Sequence, residues 1–142
     1  MAITVLTNAQ CLVNSVDLSD HLVQVAIDHG AKTEDATVMG NDTENFLPSL
    51  KVSKIELTFR QDEASSKVAQ TLFPLIGPGV APFVVEVRPV NGARSATNPG
   101  YNFSAMLESA PPLQAGVGKI SECRAVFRPA GGTAATLLRS TS

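Results

Sequence analysis

Residues 51–60, Lys-Val-Ser-Lys-Ile-Glu-Leu-Thr-Phe-Arg, constrain the fold more than any other stretch. From Lys54 onward polar and apolar side chains alternate. Ile55, Leu57 and Phe59 share one face, and Lys54, Glu56, Thr58 and Arg60 share the other. A period of two predicts a half-buried β-strand. Ten residues is long against a usual strand length of about 5–6. Such a strand must pack on other strands through its apolar face, and its polar face must meet something charged or wet.

The same alternation recurs along the chain. Residues 10–16 read as a first strand with Asn14-Ser15 at a bend, followed by a turn at 17–21. Residues 22–28 read as a second, with Val23, Val25 and Ile27 on one face and Gln24 and Asp28 on the other. A weaker strand is expected at 34–39, closed by Gly40. Further strands fall at 82–89 (Phe83, Val85 and Val87 opposite Val84, Glu86 and Arg88) and at 101–108. The last, 119–128, sets Glu122, Arg124, Val126 and Arg128 against Cys123, Ala125 and Phe127.

One helix is expected over about 62–74. Asp62 would cap it, Val68, Leu72 and Leu75 would form its apolar stripe, and Pro74 would end it. With no alternation of strands and helices, the pattern predicts a mainly β fold: an antiparallel β-sandwich or barrel with one packed α-helix. The length, 142 residues, suits a single domain over 1–142. Its ends, 1–8 and 129–142, are expected to be flexible, the second ordering only against a neighbour. Residues 30–50 offer little to a core and are expected to project as a long loop or hairpin. Such a segment is either functional or a mobile surface loop.

Charge is uneven. Residues 1–63 carry ten acids against four bases, and residues 64–142 carry three acids against seven bases. Either these are solvated loops, or the molecule has an acidic and a basic surface that meet head to tail, the geometry that builds rings or filaments. Neither half has the clustered Lys and Arg of a tight nucleic-acid binder. No apolar run reaches the roughly 20 residues that span a bilayer, so no membrane partner is expected. With no basic leader ahead of the first apolar run, the chain is expected to fold in a reducing cytosol, with Cys11 and Cys123 as core thiols rather than a bridge.

The chemistry of an enzyme is missing. His21 and His29 lie near two ends of one expected strand, about 27 Å apart at ~3.3 Å per residue, and are read as turn or surface residues. Neither they nor the cysteines have zinc-ligand spacing. Asp17, Asp20 and Asp28 lack the calcium-loop pattern, and the glycine pairs lack a following Lys-Ser or Lys-Thr for phosphate. With no Trp and one Tyr, aromatic stacking platforms are also absent. No catalytic residue, metal or cofactor is assigned.

Several stretches, in order, resemble small tail proteins of long-tailed bacteriophages. They are residues 13–21 (Val-Asn-Ser-Val-Asp-Leu-Ser-Asp-His, with Ser15 where a Gly is common), 37–40, 59–62, 72–77, 85–89, 96–101 and 117–119. Together they span roughly residues 8–128, and the chain is similar to the tail tube (major tail) proteins, especially those of phages of actinobacteria. That resemblance implies a virion protein assembled in the host cytoplasm. It implies homo-hexameric rings stacked into a tube, with a tape measure protein and a tail terminator as partners and double-stranded DNA passing through without specific binding. It also implies inner strands that join round the ring, and a long loop that reaches an adjoining ring.

Candidate lumen or subunit-interface positions are therefore Lys54, Glu56, Thr58, Arg60, Glu86, Arg88, Glu122 and Arg124. Since DNA must slide, some of these charges should pair with one another. The candidate inter-ring loop is Asn41, Asp42, Thr43, Glu44, Asn45 and Phe46. The alternatives are another virion component (a tail terminator, connector or capsid decoration protein) and a soluble β-sandwich binding module.

Overall fold

A computed structural model describes residues 3–142. Its strands are β1 (Gln10–Val13), β2 (Val16–Asp17), β3 (Leu22–Asp35), β4 (Phe46–Arg60), β5 (Phe83–Arg88), β6 (Gly100–Ser109), β7 (Glu122–Pro129) and β8 (Leu138–Ser140). All eight join one sheet in the order β2-β1-β5-β6-β7-β4-β3, with β8 also on β6, and every strand pair is antiparallel. The fold is mainly β, as expected. The sheet wraps its apolar side around one core, so that residues of β1 and β4, far apart in strand order, belong to the same buried cluster.

Alternation places the core. Ile55, Leu57 and Phe59 are buried along β4, as are Phe83, Val85 and Val87 along β5 and Cys123, Ala125 and Phe127 along β7. Phe83 and Phe127 meet edge to face, with ring centroids 6.0 Å apart. Burying each large side chain contributes roughly 1.5–3 kcal/mol. Both cysteines are free and buried. Burial pushes the Cys11 thiol up to about 12 and the Cys123 thiol up to about 11, so both stay protonated.

Several boundaries differ from expectation. The helix is short: α1 covers only Val68–Leu72, and a 3-10 turn follows at Phe73–Leu75. Asp62 accepts from the backbone N–H of Ala64 in a local turn, and Ser66 takes a positive φ of 60° before the first helical residue. Local side-chain bonding thus displaces the first turns of the expected helix. Val23 is exposed, because the β3–β4 register slips between Leu22 and Gln24 and removes it from the row of Val25 and Ile27. The expected strand at 10–16 is two strands joined by Asn14-Ser15, both at positive φ (50° and 68°), a two-residue hairpin turn.

The segment 30–50 is a hairpin rather than a loop. β3 and β4 continue their pairing from His29↔Ser53 out to Asp35↔Phe46, leaving residues 36–45 as the connection. The expected weak strand at 34–39 ends at Asp35. An extra β4 residue between Lys51 and Pro48 forms a bulge, where a proline without an N–H is tolerated.

The tail 129–142 carries a 3-10 turn, Gly132–Ala135, and then β8, which pairs with Gly100, Tyr101 and Asn102. β7 leaves β6 at Ala105, and β8 occupies the backbone groups that this departure frees. At the N-terminus, residues 1 and 2 of the expected flexible segment lie outside the described residues. Asn8 bridges to Val90.

Candidate assembly surfaces

The polar side of the β3-β4-β7-β6 region is one charged field. Cross-strand register brings Thr58 opposite Arg124 and Arg60 opposite Glu122, and residues directly opposite share a face. Lys54 Nζ lies 2.8 Å from Glu56 Oε1 and 3.6 Å from Asp28 Oδ2. Arg124 Nη2 donates to Glu56 Oε2 at 2.5 Å, Arg60 Nη1 to Glu122 Oε1 at 2.8 Å, and Arg128 Nε to Glu108 Oε2 at 2.6 Å. Lys54, Arg60, Arg124 and Arg128 each have a carboxylate. The hydrogen bonds from Lys54 and Arg124 hold the Glu56 carboxyl down to about 2. The same partners raise Lys54 and Arg124 above their ordinary values, so the field stays ionised and balanced at neutral pH.

The structure divides the eight expected face residues into two groups. Lys54, Glu56, Thr58, Arg60, Glu122 and Arg124 come together on that field. Glu86 and Arg88 do not. The Glu86 side chain is only 5% exposed, and its two oxygens are taken by Arg88 (2.6 Å) and by Arg94. Arg88 also donates to Gln10 Oε1 and to the carbonyl of Gly92. Gly100 lies against this cluster, where a Cβ would come within 2.6 Å of Glu86 Oε1, so glycine is needed for the close approach. The pair is a closed internal tie, not part of an open strand face. Arg94, in the loop that folds over it, carries no sequence pattern that announces the role.

The hairpin beyond Ser53 has no core of its own. Phe46, Leu47, Leu50 and Val52 are exposed along β4, as are Val38 and Met39 in the connection. The expected inter-ring residues 41–45 occupy this connection, with Phe46 at the first position of β4. Asn45 is held by backbone bonds to Ala36 and by the Thr37 hydroxyl, which fixes the base of the connection. The outer edge of β3, fourteen residues long, has no strand beside it among the described residues.

His21, expected as a turn or surface residue, is clamped. Its Nδ1 lies 2.8 Å from Asp20 Oδ1 and its Nε2 lies 2.7 Å from Asp62 Oδ2, while Lys67 Nζ reaches Asp20 Oδ2 at 2.8 Å. Asp20, then Asp62, raise the His21 pKa against the opposing effect of burial. The 41-residue separation of His21 and Asp62 hides this link from a reading along the chain. Among the described residues, no three His, Cys, Asp or Glu converge as metal ligands, and no helix is long and apolar enough to cross a membrane.

No family model and no curated protein matches the chain. Solved structures do. A chain of the virion of a native gene transfer agent particle is similar over 94% of this chain and 95% of its own length, with a TM-score of 0.66 and 14% identity. A chain from the tail of an empty gene transfer agent particle, treated with helical refinement and C6 symmetry, matches over 84% and 82%, with a TM-score of 0.64 and 14% identity. The SPP1 Dit protein, a hub of the adsorption apparatus of phages infecting Gram-positive bacteria, matches at a TM-score of 0.50 and 14% identity; 85% of this chain covers 49% of that one. The chain shares the fold of tail-particle components. The affinity to phages of actinobacteria in particular rests on the motifs alone.

Proposed function

We propose that this chain is a structural subunit of a phage-type tail, assembling into hexameric rings that stack into a tube for double-stranded DNA. The observation that carries the reading is the long β3–β4 hairpin. Fourteen residues of open strand edge and a row of exposed apolar side chains are a liability in a monomer, and closing strands round a ring removes it. The likeness over nearly the full length to a chain of a tailed particle supports the same reading.

The paired field of β4 and β7 is the proposed lumen side. Phosphates are held by cations that release counterions. Lys54, Arg60, Arg124 and Arg128 are each already neutralised by a carboxylate, so the β4–β7 face offers sliding DNA little free positive charge. Residues 41–46 reach the adjoining ring. The role is structural, without catalysis or cofactor. The tape measure protein and tail terminator are its expected neighbours in the virion, and assembly takes place in the host cytoplasm.

Negative-stain microscopy of the purified protein tests this. Long hollow tubes with six-fold end views are the expected result. Single closed rings would favour a terminator or hub role, and a monomer that persists at high concentration would overturn the reading in favour of a binding module.

A further inference from the structure

Resting on that reading, we infer that the hairpin tip of one copy inserts into the groove beside α1 of a second copy stacked on it. The groove, about 530 Å³, is lined by α1 and Phe73-Pro74 on one side and by Gln61, Ala110, Pro112 and Cys123 on the other. Its lining is mainly apolar, and nothing among the described residues fills it.

Position argues for a second copy. The groove adjoins Gln61, just past the inner end of β4, while the tip precedes Phe46 at the outer end. Fifteen residues of extended strand separate them by about 50 Å at ~3.3 Å per residue. A chain therefore cannot seat its own tip, and donor and acceptor sit at opposite ends of the molecule. A contact between two different surfaces repeats without closing when it runs along an axis, as stacked rings require.

Chemistry argues for the tip. Met39 is fully presented to solvent, Val38 is largely so, and both are apolar, matching the groove. Gln61 Oε1 is buried at the groove with no donor among the described residues. A buried acceptor of that kind wants an N–H. The backbone N–H groups of Met39 and Gly40 are uncommitted among the described residues. Near the same end as the groove, Lys119 forms no ion pair among the described residues and can face the carboxylates Asp42 and Glu44 of the tip. Glu63, the acid on the groove rim, opposes it.

The test is a double variant, Met39→Cys with Gln70→Cys, the second on the exposed rim of α1. After mild oxidation of assembled protein, denaturing electrophoresis without reductant is expected to show a ladder of dimers, trimers and higher species, absent from Gln70→Cys alone; Met39→Cys alone can ladder only through Cys123, which lines the same groove. Tubes that form normally but give no ladder would overturn this contact and leave the tube reading standing. A dimer band alone would overturn it too, because it would mean two identical surfaces facing each other. Failure of tubes and rings together is failure of the tube reading. A second variant, Met39→Asp, is expected to leave folded protein that stops at single rings; unchanged tube lengths would count against the insertion.

Discussion

β4 is one strand with two halves. From Ser53 to Phe59 its odd residues are buried and its even residues are half-buried, Lys54 and Glu56 in ion pairs; from Phe46 to Val52 every residue is exposed. Both halves have the same partner, β3, and the same antiparallel pairing. What differs is whether β7 lies on the other side. β7 pairs with residues 55–60 and no further. The inner half is therefore folded by this chain, and the outer half, in the proposed assembly, is the part left for another copy. Strand formation in the two halves has different sources: burial in one, and backbone pairing between two strands alone in the other.

The largest expected contrast follows from that. Phe59→Ala opens a cavity in the core and is expected to cost about 3–5 kcal/mol. Leu50→Ala, in the exposed half, is expected to stay within about ±0.5 kcal/mol while weakening assembly. Urea unfolding of dilute, unassembled protein measures both. A Leu50→Ala loss of stability comparable to that of Phe59→Ala would show that the hairpin is covered within a single copy, and the distinction would collapse.

The same contrast applies to charge. Glu86 is enclosed by two arginines, whereas Glu56 lies on the open field. Glu86→Gln leaves Arg88 and Arg94 without their shared counter-charge and is expected to destabilise by roughly 3 kcal/mol, as for a broken buried ion pair. Glu56→Gln, on the more exposed field, is expected to lower the unfolding midpoint by less than Glu86→Gln does. Its effect should appear in function, as tubes that retain DNA at low salt because Lys54 and Arg124 are released. Equal unfolding midpoints for the two variants would mean that Glu86 is not enclosed as the geometry has it.

These examples also separate what the sequence discloses from what it hides. Alternation alone located Ile55, Leu57 and Phe59, the buried side of β5 and β7, and the polar row from Lys54 to Arg60, because a period of two is fixed by backbone geometry. It could not separate Glu86 from Glu56: both are acids at outward strand positions. The difference comes from a distant loop that lays Arg94 over one of them. The expected helix is longer than the real one because Val68, Leu72 and Leu75 do share a stripe, yet the Asp62 turn and the positive φ at Ser66 consume its first turns. The hairpin was legible as a segment without a core, but its strand pairing was not, since pairing without burial leaves no periodic signal.

The clamp at His21 gives a smaller effect, set by pH. Its folded pKa is raised above the ordinary value of 6.5, so the stabilisation is fully present below about pH 6.5 and is lost as pH rises through the raised folded value. Asp20, held down to about 2 by Lys67 and then His21, acts oppositely: its contribution is present above its ordinary 3.8 and is lost as pH falls toward 2. The unfolding midpoint is therefore expected to decline modestly above pH 6.5, and His21→Gln should flatten that decline. An identical decline in the variant would assign the pH dependence to another group. The clamp joins the turn before β3 to the segment before α1, so tube length should follow the same pH trend only if the α1 groove takes part in stacking.

The smallest effect comes from comparing the two hairpins. β1 and β2 turn through two residues, Asn14 and Ser15, both at positive φ, the geometry that suits the twist of a tight hairpin. Asn tolerates that region, but Ser pays a steric penalty there of roughly 1–2 kcal/mol. Glycine removes the penalty while adding about 0.5–1 kcal/mol of unfolded-chain entropy. Ser15→Gly is therefore expected to raise stability by ~0.5 kcal/mol, seen as a higher urea midpoint with an unchanged slope. The β3–β4 connection offers no such gain, because Gly40 already occupies its positive φ of 95° and the remaining residues are held by Thr37 and Asn45. A destabilised Ser15→Gly variant would show that the Ser15 side chain, and not the backbone twist, sets that turn.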